Sequence, residues 1–170
     1  MDKICAWCGN KINKTKSSHQ ADNDISHGMC EDCADNLLFQ WGVDIKKYIE
    51  KLNIPVVIVD SEGVVNEANS VAKNFLNKDI AQIKGFKGGD VFECAYSRLP
   101  GGCGNTVHCS GCTIRNTVMK TYETGKSSFR VKAYLKMYKP DRPQDIRFLI
   151  STIKINDVVL LAIEDVEKEE

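Results

Sequence analysis

The sequence carries no net charge: 23 Lys and Arg balance 23 Asp and Glu over 170 residues. No chain-wide basic field exists to draw in nucleic acid or an anionic membrane surface. Long apolar runs are missing too. A membrane span needs about 20 consecutive apolar residues, and no stretch approaches that, while the opening MDKICAWCGNKINK lacks the apolar segment of a signal peptide. Together these absences predict a cytoplasmic protein that engages neither membrane nor nucleic acid. Histidine is scarce, with three in the chain, and no acid–base constellation built on histidine accompanies its cysteines, which argues against an enzyme. The 42% hydrophobic and 27% charged fractions exclude wholesale disorder and describe an ordinary globular chain.

Cysteine is what the sequence has in excess, and it is unevenly placed. The eight cysteines fall into two sets, Cys5, Cys8, Cys30 and Cys33, then Cys94, Cys103, Cys109 and Cys112. A reducing cytosol disfavours disulfides, whereas four thiolates are what a tetrahedral metal site needs. The first set, C-x2-C, twenty-one residues, C-x2-C, has the form of a zinc ribbon or treble-clef-like site and is expected to hold zinc. Gly9 and Gly28 ease its turns, and His27 has three readings: a hydrogen-bond donor to a bound thiolate, an alternative ligand, or a structural residue. Residues 1 to about 33 have few large apolar side chains, so the metal would fold them, contributing on the order of 10 kcal/mol. DNA binding is disfavoured there: residues 1–40 hold four lysines and no arginine against six acidic residues.

The second set, C-x8-C-x5-C-x2-C, sits among Gly101, Gly102, Gly104 and Gly111, which let the backbone approach one centre. Zinc would make it a closed structural site, and an iron–sulfur cluster would make it redox-responsive. His108 lies beside Cys109 as an alternative ligand, a hydrogen-bonding neighbour or an exposed loop residue. Cys109 and Cys112 precede a predicted helix, Thr113 to Thr124, closed by Gly125; its N-terminal N–H groups favour thiolate over thiol.

Between the sets, Leu37, Leu38, Trp41, Ile45, Tyr48, Ile49 and Leu52 recur at three- and four-residue steps, with no proline before Pro55. This predicts an amphipathic helix whose stripe is covered either by the following domain or by a second chain. IPVVIVD and VVNEAN, separated by Ser-Glu-Gly, predict a hairpin. A short helix capped by Ser70 follows, then a loop over 80–90 with short helical turns and glycines at 85, 88 and 89. Three strands close the chain, SFRVKAYLKM, DIRFLISTIKI and DVVLLAIEDV, the last two turning at Asn156-Asp157.

This order of elements resembles the PAS fold over about residues 51–166. NIPVVIVDSEGVVNEANSVAKNFL resembles the opening, and VVLLAIEDVEKEE the exit strand, of PAS domains in bacterial sensor kinases. GDVFECAYSRLPGGCGNTVHCSGCTIRNTV resembles a cysteine-bearing PAS subtype of bacterial and archaeal sensor histidine kinases, with its Gly-Gly-Cys-Gly and C-x2-C. ICAWCG with ISHGMCEDC resembles a short cysteine module found beside sensory domains.

The expected architecture is α+β: a four-cysteine zinc module over 1–36, an amphipathic linker helix over 37–52, a PAS-like five-stranded antiparallel sheet with flanking helices over 53–166 carrying the four-cysteine insertion 94–112, and an acidic tail over 167–170. The resemblance implies a non-enzymatic sensor or adaptor that passes redox or ligand state to a signalling partner such as a histidine kinase or regulator, and that forms a homodimer. No kinase output segment is expected within these 170 residues. A thiol-redox or electron-transfer protein, and a purely structural two-zinc module, are the alternatives.

Overall fold

The computed structural model describes the backbone of residues 3–5, 11–12, 26–28 and 45–168, with side chains over 45–167. The chain divides into two units, 1–44 and 45–170. In the first, β1 (Lys3–Cys5) pairs antiparallel with β2 (Lys11–Ile12) and parallel with β3 (Ser26–Gly28). The side chains of Cys5, Cys8, Cys30, Cys33 and His27, the zinc expected there, and residues 37–44 of the expected linker helix lie outside the described residues.

The second unit opens with α1 (Ile45–Glu50), which presents Tyr48 to solvent and buries Ile49 completely. Over this stretch of the predicted helix, the domain that follows covers Ile49 of the stripe and leaves Tyr48 exposed. The helix ends before Pro55, whose ring disfavours helical backbone at the preceding residue. β4 (Val56–Val59) and β5 (Val64–Ala68) then form the predicted hairpin. Asp60 Oδ1 shapes its turn by accepting from Glu62 N–H at 2.9 Å and Val64 N–H at 3.1 Å.

The cap of the next helix, α2 (Ser70–Leu76), is Asn69 rather than Ser70: its extended backbone and Oδ1, which accepts from Ala72 N–H at 2.8 Å, make the capping geometry. The short helical turns expected over 80–90 are present, with a strand between them that the glycines do not suggest. The stretch contains α3 (Ile80–Ile83), β6 (Phe86–Lys87) and α4 (Gly88–Val91). Because β6 pairs with β5, the antiparallel sheet has six strands instead of the expected five, in the order β6-β5-β4-β9-β8-β7.

Two 3-10 turns, Ala95–Arg98 and Cys109–Gly111, lead into α5 (Thr113–Thr124), which ends as predicted with Gly125 at φ 70° and its N–H on Thr121 O. β7 (Ser128–Met137), β8 (Gln144–Ile155) and β9 (Val158–Lys168) complete the sheet, with Asn156 in the left-handed turn conformation at φ 51°. Alternation along β4 and β9 turns Val57, Val59, Val159, Leu161 and Ile163 onto one face. There Phe148 of β8, 1% exposed, meets the rings of Phe75 and Phe92, each 6.2 Å away. α5 packs on the same face, and a buried hydrogen bond of 2.7 Å between the Thr121 and Thr152 hydroxyls pins it there. Among the described residues no helix is long and apolar enough to cross a membrane.

Candidate functional site

Where α5 leaves the sheet toward its N-terminus, a cavity of about 160 Å³ remains between them. Val59, Val65, Leu135 and Leu161 line it from the sheet, Ile114, Val118 and Met119 from α5, and the loop after Phe92 forms the third wall. Cys94, Cys103, Cys109 and Cys112 all stand on that wall. Folding therefore gathers the second predicted set around one apolar space.

The loop is anchored at its start. Glu93, at φ 57°, turns the chain so that Cys94 N–H reaches Gly89 O at 2.7 Å and Tyr138 N–H reaches Glu93 O at 2.7 Å. The Glu93 carboxylate holds Lys78 at 2.7 Å and Arg98 at 3.1 Å, and the hydrogen bond from Lys78 keeps its carboxyl below the ordinary range. Arg98 also lies 3.7 Å from the centre of the Tyr138 ring. This strap fixes the loop to the end of β7.

Each sulfur has a distinct setting. Cys94 packs against the hydrophobic core, and burial pushes its thiol up. Burial also raises the Cys103 thiol, against the pull of a hydrogen bond from Gly89 N–H to Sγ at 3.2 Å. Gly89 must be glycine for this approach, since a Cβ there would stand 2.8 Å from Cys103 Sγ. Cys109 Sγ accepts from Gly104 N–H at 3.1 Å and lies 3.2 Å from Thr106 Oγ1. Burial works to raise this thiol, but the hydrogen bonds from Thr106 and Gly104, with the Arg115 charge, outweigh it and bring the thiol below its ordinary value. Cys112 caps α5, its Sγ taking Arg115 N–H at 3.5 Å. His108 is exposed, and its ring stacks on Tyr96 at 3.9 Å.

The expected cofactors are corrected by this geometry. Among the described residues no group of three or more His, Cys, Asp or Glu is arranged to hold a metal ion, so zinc or an iron–sulfur cluster at Cys94, Cys103, Cys109 and Cys112 does not stand. The spacing permits convergence, but each sulfur has its own partners: the core and backbone N–H groups of Tyr96 and Ser97 for Cys94, Gly89 N–H for Cys103, Gly104 N–H and Thr106 for Cys109, and Arg115 N–H for Cys112, which caps α5. All four are free thiols.

No protein-family model and no curated protein matches the chain. Solved structures do. A domain of a sensory box sensor histidine kinase/response regulator from Geobacter sulfurreducens is 14% identical at TM-score 0.50, covering 76% of this chain and 97% of that one. The fold is PAS-like. Also similar are the RpfR quorum-sensing receptor PAS domain of Cronobacter turicensis, solved with BDSF (15% identity, 69% and 97% coverage, TM-score 0.47), and the photoactive yellow protein domain of the sensor histidine kinase Ppr of Rhodospirillum centenum (14%, 73% and 94%, TM-score 0.44). In this chain the PAS-like sheet and α5 supply two walls of the cavity and the cysteine-rich loop the third.

Sequence reasoning found the four cysteines and missed their partners. Thr106 reaches a sulfur three residues on, which spacing alone does not announce, and the Arg115 charge acts on Cys109 only when the loop folds back over the helix start. Gly89 was visible only as a turn former, and its close approach to Cys103 is a tertiary fact.

Proposed function

We propose that the chain is a non-catalytic sensory module in which occupancy of the cavity, or the chemical state of the thiols on its wall, shifts α5 against the sheet. A signalling protein such as a histidine kinase or regulator reads that shift. The observation that carries this reading is the placement of all four cysteines of the second set on the wall of one apolar cavity that α5 also lines. Cys112 is at once a wall residue and the cap of that helix, so a change at the sulfur acts directly on the helix start. The coupling required is about 1–3 kcal/mol, and loss of a helix cap alone is worth about 0.5–2 kcal/mol.

Methyl methanethiosulfonate provides the test. It replaces each thiol proton with a methylthio group, releasing methanesulfinate, and is reversed by dithiothreitol. Hydrogen exchange on protein modified at the second cysteine set is expected to rise in residues 113–124 and 128–137 and to return on reduction. Unchanged protection of both segments, with modification confirmed by mass, would sink the reading.

A further inference from the structure

Cys109 differs from the other three sulfurs in its surroundings. It is half-buried on the cavity wall, with Gly104 N–H at 3.1 Å and Thr106 Oγ1 at 3.2 Å from Sγ. Arg115, on the first turns of α5, lines the same cavity, and its Nε lies 3.2 Å from where a Cβ on Gly104 would stand. Donors and a cation are thus gathered beside one sulfur, while the opposite wall, from Val59 to Leu161, is hydrocarbon. A cavity of about 160 Å³ is near the volume that admits a benzene-sized guest, on the order of 150 Å³. The arrangement suits a small molecule with an apolar body, a carbonyl oxygen to meet Arg115, and a soft electrophilic carbon between them.

We propose that the cavity takes an α,β-unsaturated aldehyde or ketone and that Cys109 Sγ adds to its β-carbon. This rests on the reading of the cavity as the sensory site and names its ligand class. The thiol gives its proton to solvent and the sulfur forms a C–S bond. The C=C π pair shifts to join the α-carbon and the carbonyl carbon, the C=O π pair moves onto oxygen as an enolate beside the Arg115 guanidinium, and the α-carbon then takes a proton from water as the carbonyl re-forms. The net change is addition of S–H across C=C, with no leaving group and no oxidant or reductant. Cys94 and Cys103 complete the wall, but burial holds both thiols up against the backbone hydrogen bonds that reach them, from Tyr96 and Ser97 and from Gly89.

The test uses the full reduced chain and 2-cyclohexen-1-one, with intact mass and peptide mapping across all eight cysteines. The first adduct is expected on Cys109, about tenfold faster than on free glutathione, as thiolate-stabilising surroundings provide. Thr106→Ala should slow it about fivefold, the net worth of one hydrogen bond. Cys109→Ser should remove the fast phase, and saturated cyclohexanone, which occupies the space without reacting, should slow addition to the unsubstituted chain. Competition by cyclohexanone combined with a first adduct on another cysteine would overturn the assignment to Cys109 and leave the cavity as a binding site. Adducts spread evenly over the cysteines, with no competition, would overturn both. An unchanged fast phase in Cys109→Ser would refute the proposal outright.

Discussion

Asn69 is the residue whose replacement tests the fold most sharply. Its side chain is fully buried and holds four segments together. Oδ1 accepts from Val56 N–H at 3.1 Å and Ala72 N–H at 2.8 Å, and Nδ2 donates to Ile54 O at 2.8 Å and Ile49 O at 3.0 Å. It therefore joins the end of α1, the approach to Pro55, the first residue of β4 and the start of α2. Asn69→Ala strips partners from four backbone groups at once. A buried polar group left unsatisfied costs about 1–3 kcal/mol and the lost cap about 1 kcal/mol. Since the vacated space lets one or two of the groups find water, the sum settles at about 3–5 kcal/mol. Asn69→Asp separates hydrogen bonding from shape. The acid keeps an acceptor for Val56 and Ala72, but its second oxygen faces the Ile49 and Ile54 carbonyls and can satisfy one only while protonated. Its folded-state pKa is then raised above the unfolded value of about 3.9, so stability is retained at acid pH and lost as pH rises through the folded value. Urea unfolding of both variants at pH 4.5 and 7.5, referenced to the parent at each pH, measures this. A loss below about 1 kcal/mol for Asn69→Ala, the ordinary cost of a surface change, would refute the reasoning, as would an Asn69→Asp penalty that is equal at the two pH values.

Three further outcomes follow from the same geometry. Thr121→Val or Thr152→Val alone should cost about 1–3 kcal/mol by orphaning the other buried hydroxyl, whereas the double Val variant should recover most of that loss; a denaturation double-mutant cycle that finds the two changes additive contradicts the pair. Because burial raises the Cys94 and Cys103 thiols, the stability tied to their neutral forms is complete below the ordinary thiol value of about 8.5 and is lost as pH climbs through the raised folded values. The urea midpoint should fall on that alkaline side, and a Cys94→Ala, Cys103→Ala variant should flatten the decline. Gly89→Ala would drive a methyl to 2.8 Å from Cys103 Sγ and 3.2 Å from Ser97 Cβ, so a loss of about 1–3 kcal/mol from overpacking is expected; a thermal midpoint unchanged from the parent would show that the loop yields freely.

The sequence by itself determined the elements whose causes are local. The β4–β5 hairpin follows from the continuous apolar run Val56–Val59 and the Val64-Val65 pair on either side of Asp60 and Gly63, α5 from its periodicity and the glycine after it, and the β8–β9 turn from Asn156, which tolerates φ 51°. Grouping of Cys94, Cys103, Cys109 and Cys112 was legible for the same reason, since they share one loop. Tertiary structure alone decided what those sulfurs face. Their spacing is compatible with one shared ion, yet the donors that claim them differ: Tyr96 and Ser97 for Cys94, Gly89 on α4 for Cys103, Gly104 and Thr106 for Cys109, and Arg115 on α5 for Cys112. The sixth strand was equally hidden, because two residues, Phe86 and Lys87, show no periodicity and become a strand only by pairing with Val65 and Val64. Asn69 reads in sequence as a polar residue beside a serine, and its burial depends on carbonyls from residues 49 and 54, brought to it by folding. Periodicity and turn chemistry are carried by neighbours along the chain, whereas a hydrogen-bond partner or a cavity wall is supplied by residues that only the folded backbone makes neighbours.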